Sequence, residues 1–258
     1  KSGARVLMIE KEVWPRDKIC GDAVGGKSLS HVSELGVKAD IESTPHFRVT
    51  GIVFSSPKGN TVRVPLPEED VEKMEAGYAL PRAQFDSLLF NRCQALVREA
   101  GGSIIQGGDV RTVLFDDGAG GQDPGEGSRD ARHAAGIVVR IGGRDGEERT
   151  FYSRELVGAA GYRCPVARSV VESSYNEVMM DRDHYCGGYR EYWRNVKGCE
   201  ANVGDIEIHF VDSVIPGYFW LFPVSENVVN VGIGMVMGLL DKQKKKLKAL
   251  QADVIANH

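Results

Sequence analysis

Pro216 to Gly234, PGYFWLFPVSENVVNVGIG, reads as two strands joined by a short polar turn at Ser225-Glu226-Asn227. Alternation puts the rings of Tyr218, Trp220 and Phe222 on one face of the first strand. On the second strand Asn230, Gly232 and Gly234 share a face, and two of those three positions lack a side chain. An aromatic wall beside a glycine floor leaves a flat apolar slot, where a planar ring or an isoprenoid chain could approach the backbone. The alternative is a hairpin packed into a core, its glycines at bulges. Two further groups suit chemistry. Cys20, flanked by Gly21 and preceded by Arg16 and Lys18, is a thiol whose neighbours could lower its pKa. Arg82 opens a helical run, where backbone N–H groups already favour anions.

Elements that would carry these residues can be read along the chain. Ala4 to Glu10 is a buried strand ending in an acid, which in a dinucleotide-binding unit bonds the ribose hydroxyls, or else is a solvated strand end. On the first reading the preceding strand and its glycine-rich turn lie before residue 1. A short helix over 27–35 stops at Gly36, and 48–55 with 61–64 forms a hairpin. A helix over 82–100 ends at Gly101-Gly102, with Asp86 capping or ion-pairing in its first turn. Strands follow at 103–106 and 109–115, then three strand-like runs from 136 to 158 and a helix near 166–172. Residues 116–135, glycine-rich and acidic without periodicity, read as a disordered insertion. From 185 to 237 nearly everything is strand, and 239–258 is one helix with Leu240, Leu247, Leu250 and Val254 as its stripe.

The pattern Tyr218-Phe-Trp220-Leu-Phe222-Pro223 with Val231-Gly232-Ile-Gly234 resembles the signature of the geranylgeranyl reductase family. Members are FAD enzymes that saturate prenyl double bonds, on a fold similar to para-hydroxybenzoate hydroxylase. The resemblance implies an α/β (α+β) chain: a discontinuous, Rossmann-like flavin-binding domain with an inserted, mostly antiparallel substrate sheet. It assigns 1–45 and 81–172 to the flavin domain, 46–80 and 173–238 to the substrate sheet, and 239–258 to a C-terminal helix. Pro15 to Asp22 is similar to a family loop whose cysteine lies near flavin and substrate, which gives Arg16, Cys20 and Gly21 cofactor-contacting roles. An Arg-x-x-Phe-Asp pattern does the same for Arg82. Val157 to Arg168 resembles the Gly-Ala-Asp-Gly segment, marking Gly161, although Ala160 stands where the acid is expected. That departure puts direct NAD(P)H docking in doubt and leaves NAD(P)H or ferredoxin as electron donor. A following Gly-Asp segment is expected beyond residue 258, so weak or absent FAD binding is expected of the chain itself.

The implied chemistry is hydride delivery to an isolated alkene with protonation of the other carbon. Aromatic faces stabilise the developing cation, which gives Tyr218, Trp220 and Phe222 a task beside lining a tunnel. Cys20, Tyr218 and water are the candidate proton donors, and Gly232 and Gly234 would contact the prenyl chain. A monooxygenase or halogenase of the same fold, and a non-catalytic prenyl-lipid binder, are the competing readings.

Composition bounds the partners. Among 258 residues, 42% apolar and 26% charged with a net charge of −4 describes an ordinary globule and argues against a nucleic-acid surface. Five cysteines without C-x-x-C spacing, and six histidines without a cluster, suggest neither a disulfide framework nor a metal site. A reducing, cytoplasmic setting fits. No apolar run approaches the ~20 residues of a membrane span. Lys242, Lys244, Lys245, Lys246 and Lys248 form a basic run that reads as a solvated helix face and leaves peripheral membrane contact open.

Overall fold

A computed structural model of the protein describes residues 3–73, 76–115 and 135–257. The expected insertion at 116–135 lies, apart from its last residue, outside the described residues. The chain divides into two compact units, Lys1–Trp14 with Gln94–Asp181 and Pro15–Cys93 with Arg182–His258. The divisions therefore fall at 14/15, 93/94 and 181/182, whereas the sequence reading placed them near 45, 80 and 172.

The first unit holds β1 (Leu7–Glu10), paired in parallel with β6 (Ser103–Gln106) so that Glu10 lies opposite Gln106. An antiparallel sheet of β7 (Gly108–Phe115), β8 (Ala135–Ile141) and β9 (Glu147–Ser153) follows. The residues after Gly136 thus make two strands rather than three: Gly142 and Gly143, both at positive φ, turn the chain between them. The short helix α5 (Pro165–Val170) begins at Cys164, whose sulfur accepts the Ala167 N–H, with proline at the first helical position.

The second unit is built on an eight-stranded sheet in the order β10–β13–β12–β11–β3–β5–β2, with β4 on β3. Its strands are β2 (Ala23–Gly25), β3 (Phe47–Ser55), β4 (Thr61–Pro65), β5 (Gly77–Ala79), β10 (Cys186–Arg194), β11 (Val203–His209), β12 (Tyr218–Ser225) and β13 (Val228–Val236). Every pairing is antiparallel except β11 with β3. Helices α1 (Lys27–Leu35), α2 (Lys38–Ser43) and α3 (Glu68–Glu72) lie between its early strands. The helix α4 (Arg82–Glu99) starts in this unit and ends in the other. Gly36 closes α1 in the left-handed conformation, the role the sequence gives it.

Strand period sorts the hairpin into two faces. Phe219, Val229, Val231, Ile233 and Met235 join Leu240, Leu250 and Val254 in one buried cluster. Trp220, Phe222 and Val224 join Phe47, Val49, Ala79 and Ile206 in another. The C-terminal run is not one helix but α6 (Met237–Gln243) and α7 (Leu247–Asn257). Lys244 adopts φ 52°, ψ 33°, and the Lys244 and Lys245 N–H groups close on Asp241 and Leu240. Like charges crowded on successive turns disfavour a continuous helix here, and the break lets both segments bury their leucines in the same cluster.

Candidate functional site

The glycine strip is not an open floor. β12 and β13 pair Tyr218 with Gly234, Trp220 with Gly232 and Phe222 with Asn230, and β10 places Gly188 beside Gly234. The Trp220 indole lies flat along this strip. A Cβ on Gly232 would clash at 2.1 Å with its ring, and Cβ atoms on Gly234 and Gly188 would stand 3.6 and 3.9 Å from its edge. The slot expected from alternation is therefore filled from within by the strand facing it. Trp220 is 5% exposed and Phe222 8%, while Tyr218 is 42% exposed. The three rings still form a row, with centroid separations of 5.8 and 6.1 Å. Of the three rings only Tyr218 presents much surface.

The loop Pro15–Asp22 is fastened at three successive residues to this hairpin and to β10. The Cys20 carbonyl accepts the Asn230 Nδ2 at 2.8 Å, and Asn230 Oδ1 accepts the Trp220 Nε1 at 2.9 Å. Gly21 rests on the Phe222 ring so closely that a Cβ would lie 2.7 Å from Cε2. Asp22 Oδ2 accepts the Tyr192 hydroxyl of β10 at 2.7 Å. Arg190 lies 4.2 Å over the Tyr192 ring and donates to Asp17 at 2.5 and 2.6 Å. Asp22 is 1% exposed. Burial raises its carboxyl above the ordinary value, against the lowering effects of Tyr192, Asn230, the Arg190 charge and the Arg82 backbone N–H. Burial, then the Asp22 partner, also push the Tyr192 phenol up.

At the start of α4, Asp86 is a buried carboxylate held by two guanidinium groups. Arg82 donates Nε and Nη2 to it at 2.7 Å each, and Arg16 donates Nη1 at 2.8 Å. Two cations on one anion leave net positive charge, and the pairing fixes both forks. Arg16 bonds Asp86, and Arg82 also acts with Cys20. In the first unit, Glu10 ends β1 and accepts the Glu12 N–H at 2.9 Å. Gly161 opens a one-turn helix at φ 73°, with nothing within 4 Å of where a Cβ would stand. Of the sequence-predicted site residues, the structure brings Arg16, Cys20, Gly21, Arg82, Tyr218, Trp220, Phe222, Gly232 and Gly234 into one unit. Glu10 and Gly161 belong to the other.

Sequence reasoning missed Asn230 as a connector, and Asp22, Tyr192 and Arg190 altogether. The available signal was a lone carboxamide in the apolar run Val228-Val229-Asn230-Val231, which in a buried strand must find hydrogen-bond partners. Among the described residues no group of three or more His, Cys, Asp or Glu could hold a metal ion. No helix among them is long and apolar enough to cross a membrane.

A mixed β-sheet unit interleaved with an α/β unit is the fold of a class of flavin-dependent enzymes. A myxobacterial chondrochloren halogenase, described as a variant of FAD-dependent halogenases, superposes with a TM-score of 0.69 at 20% identity, over 98% of this chain and 52% of that one. Residues 185–258, the segment carrying β10–β13, α6 and α7, match the family described as "Geranylgeranyl reductase catalytic domain". The digeranylgeranylglycerophospholipid reductase of Sulfolobus acidocaldarius is 29% identical over 252 residues, 93% of this chain and 47% of that protein. The menaquinone reductase of Mycobacterium tuberculosis is 25% identical over 236 residues, 91% of this chain and 50% of that protein. The chain spans about half the length of the curated relatives it matches.

Proposed function

We propose that this chain is the part of an FAD-dependent reductase that presents an isoprenoid lipid to the flavin and supports saturation of its prenyl double bonds. The observation that carries the reading is the match of residues 185–258, hairpin included, to the geranylgeranyl reductase catalytic domain. Its own residues suit the cofactor. Glu10 at the end of a parallel strand suits the ribose hydroxyls, and Gly161 has open space where a side chain would otherwise crowd a nucleotide. Arg16 and Arg82, fixed on Asp86 with charge to spare, suit a phosphate or ribityl oxygen. The bound flavin would supply the hydride.

Tyr218, exposed at the end of the aromatic row, is the signature ring free to face a prenyl chain and to stabilise positive charge developing on it. Trp220 and Phe222 back that ring and the Cys20 loop from the core. Cys20 and Tyr218 remain the proton-donor candidates. NAD(P)H or ferredoxin is the proposed electron source, and the lysines between α6 and α7 are the proposed contact with an anionic membrane surface. The chain alone is proposed to hold FAD weakly.

The test is anaerobic incubation of the chain, extended to the length of its relatives and reduced, with a geranylgeranyl lipid. Products should gain two hydrogens per double bond. An unchanged lipid with reduced flavin bound would refute the reading, and oxygenated or halogenated product under air would favour the monooxygenase or halogenase alternative.

A further inference from the structure

Asn230 is 0% exposed and sits in the middle of β13, yet all of its carboxamide bonding leads away from its own strand. The Trp220 indole is a donor only, the Cys20 carbonyl an acceptor only, and a carboxamide alone among side chains of this size offers an oxygen and an NH₂ on one rigid plane. These partners dictate the amide orientation: oxygen to Trp220, nitrogen to Cys20. Asn230 also lowers the Asp22 carboxyl, against the effect of burial. One buried side chain thus bonds both Trp220 and Cys20.

The neighbours make this connector decisive. Gly21, between the two fastened loop residues, packs against Phe222 with no room for a side chain. Trp220 cannot slide, because Gly232 receives its ring and Asn230 its N–H. The loop segment 20–22 is also held by the Leu80 N–H, which donates to the Asp22 carbonyl at 3.3 Å, by Tyr192 on the Asp22 carboxylate and by Arg82. We propose that Asn230 is a positioning residue that sets the place of the Cys20 thiol, with the aromatic signature as a platform for the Cys20 loop. The proposal rests on the reading of that loop as part of the flavin and prenyl site only for its catalytic meaning; the positioning itself is measurable without it.

The experiment is native-state alkylation of the chain by iodoacetamide, with each cysteine followed by peptide mass spectrometry. Cys186 is exposed and serves as the reference, while Cys199, buried in the same unit, reports unfolding. Asn230→Asp retains an acceptor for Trp220 but cannot donate to the Cys20 carbonyl while ionised. It should raise the Cys20 rate relative to Cys186 by about tenfold, with Cys199 still protected. Trp220→Phe leaves the Asn230–Cys20 bond in place and should change that ratio by less than about threefold. An unchanged Cys20 ratio in Asn230→Asp with Cys199 protected overturns the proposal. So does a joint rise of Cys20 and Cys199, which would make Asn230 a residue of general stability. Should Asn230→Ala fail to fold, the Asn230→Asp and Trp220→Phe pair still decides. A moved ratio in a protein that reduces no prenyl lipid would remove the functional reading and keep the positioning.

Discussion

Gly232→Ala separates a packed platform from an open slot. If the strip were the floor of a binding groove, a methyl group there would obstruct ligand and leave the fold alone. In the structure that methyl would lie 2.1 Å from Trp220 Cζ2 and 2.9 Å from Arg190 Cβ. The indole cannot swing aside without breaking its 2.9 Å bond to Asn230 or lifting out of the Phe47–Val49–Ile206 cluster. Overpacking of this kind costs about 1–3 kcal/mol, and a rigid ring as neighbour puts the value in the upper half of that range. At about 2–4 °C per kcal/mol for a chain of this size, thermal unfolding should fall by roughly 4–12 °C. Gly234→Ala is the control on the same face, where a Cβ would meet Trp220 Cζ3 at an ordinary 3.6 Å. It should cost within about 0.5 kcal/mol. In a Trp220→Phe background the smaller ring leaves room, so the Gly232→Ala penalty should shrink by about 1 kcal/mol in a double-mutant cycle. Circular dichroism melts of the four variants measure this. Equal melting temperatures for Gly232→Ala and wild type, with no coupling to Trp220, would refute the filled-slot geometry.

Asp86→Asn should destabilise by about 2–4 kcal/mol in urea unfolding, because it strips a buried carboxylate from Arg82 and Arg16 and strands two partly buried cations. Asp22 carries a pH signature. Its folded pKa lies above the unfolded value, so the native state holds the extra proton and stability falls as pH rises through that window. Asp22→Asn removes this dependence, and its stability relative to wild type should therefore increase from about pH 4 upward in denaturation series. Lys244→Gly should stabilise by about 0.5–1 kcal/mol, since a glycine adopts the left-handed C-cap of α6 without the Cβ penalty, and a melt reads this directly.

Much of the scaffold was legible because local chemistry and tertiary structure agree. Gly36 ends α1, Pro81 and Gly101 bracket α4, and the period-2 pattern of 218–224 and 228–234 gives a hairpin, with a register shift between Pro223 and Ser225. The break at Lys244 was hidden because a lysine in the left-handed region carries no local signal, and the apolar stripe continues across it. The expected third strand after Gly136 is missing because β9 ends at Ser153 and the residues from Arg154 to Ala159 are irregular. In the candidate site, alternation reported correctly which residues share a face. It could not say that the occupant of the glycine strip is the tryptophan directly opposite, since register across strands converts a gap into a socket.

That distinction changes what the aromatic signature means physically. Three rings in a row can stabilise a cation only where the cation can reach them, and burial leaves Tyr218 as the accessible one. The cost of burying an indole N–H and a backbone carbonyl is offset only if something bonds both, which is what Asn230 does at 2.9 and 2.8 Å. Glycine at 232 then follows from the tryptophan, glycine at 21 from the phenylalanine, and the carboxamide at 230 from both. The motif is consistent as a device for holding a loop. On this account its residues divide by accessibility into one ring that can meet a ligand and a buried set that decides where Cys20 stands when it does.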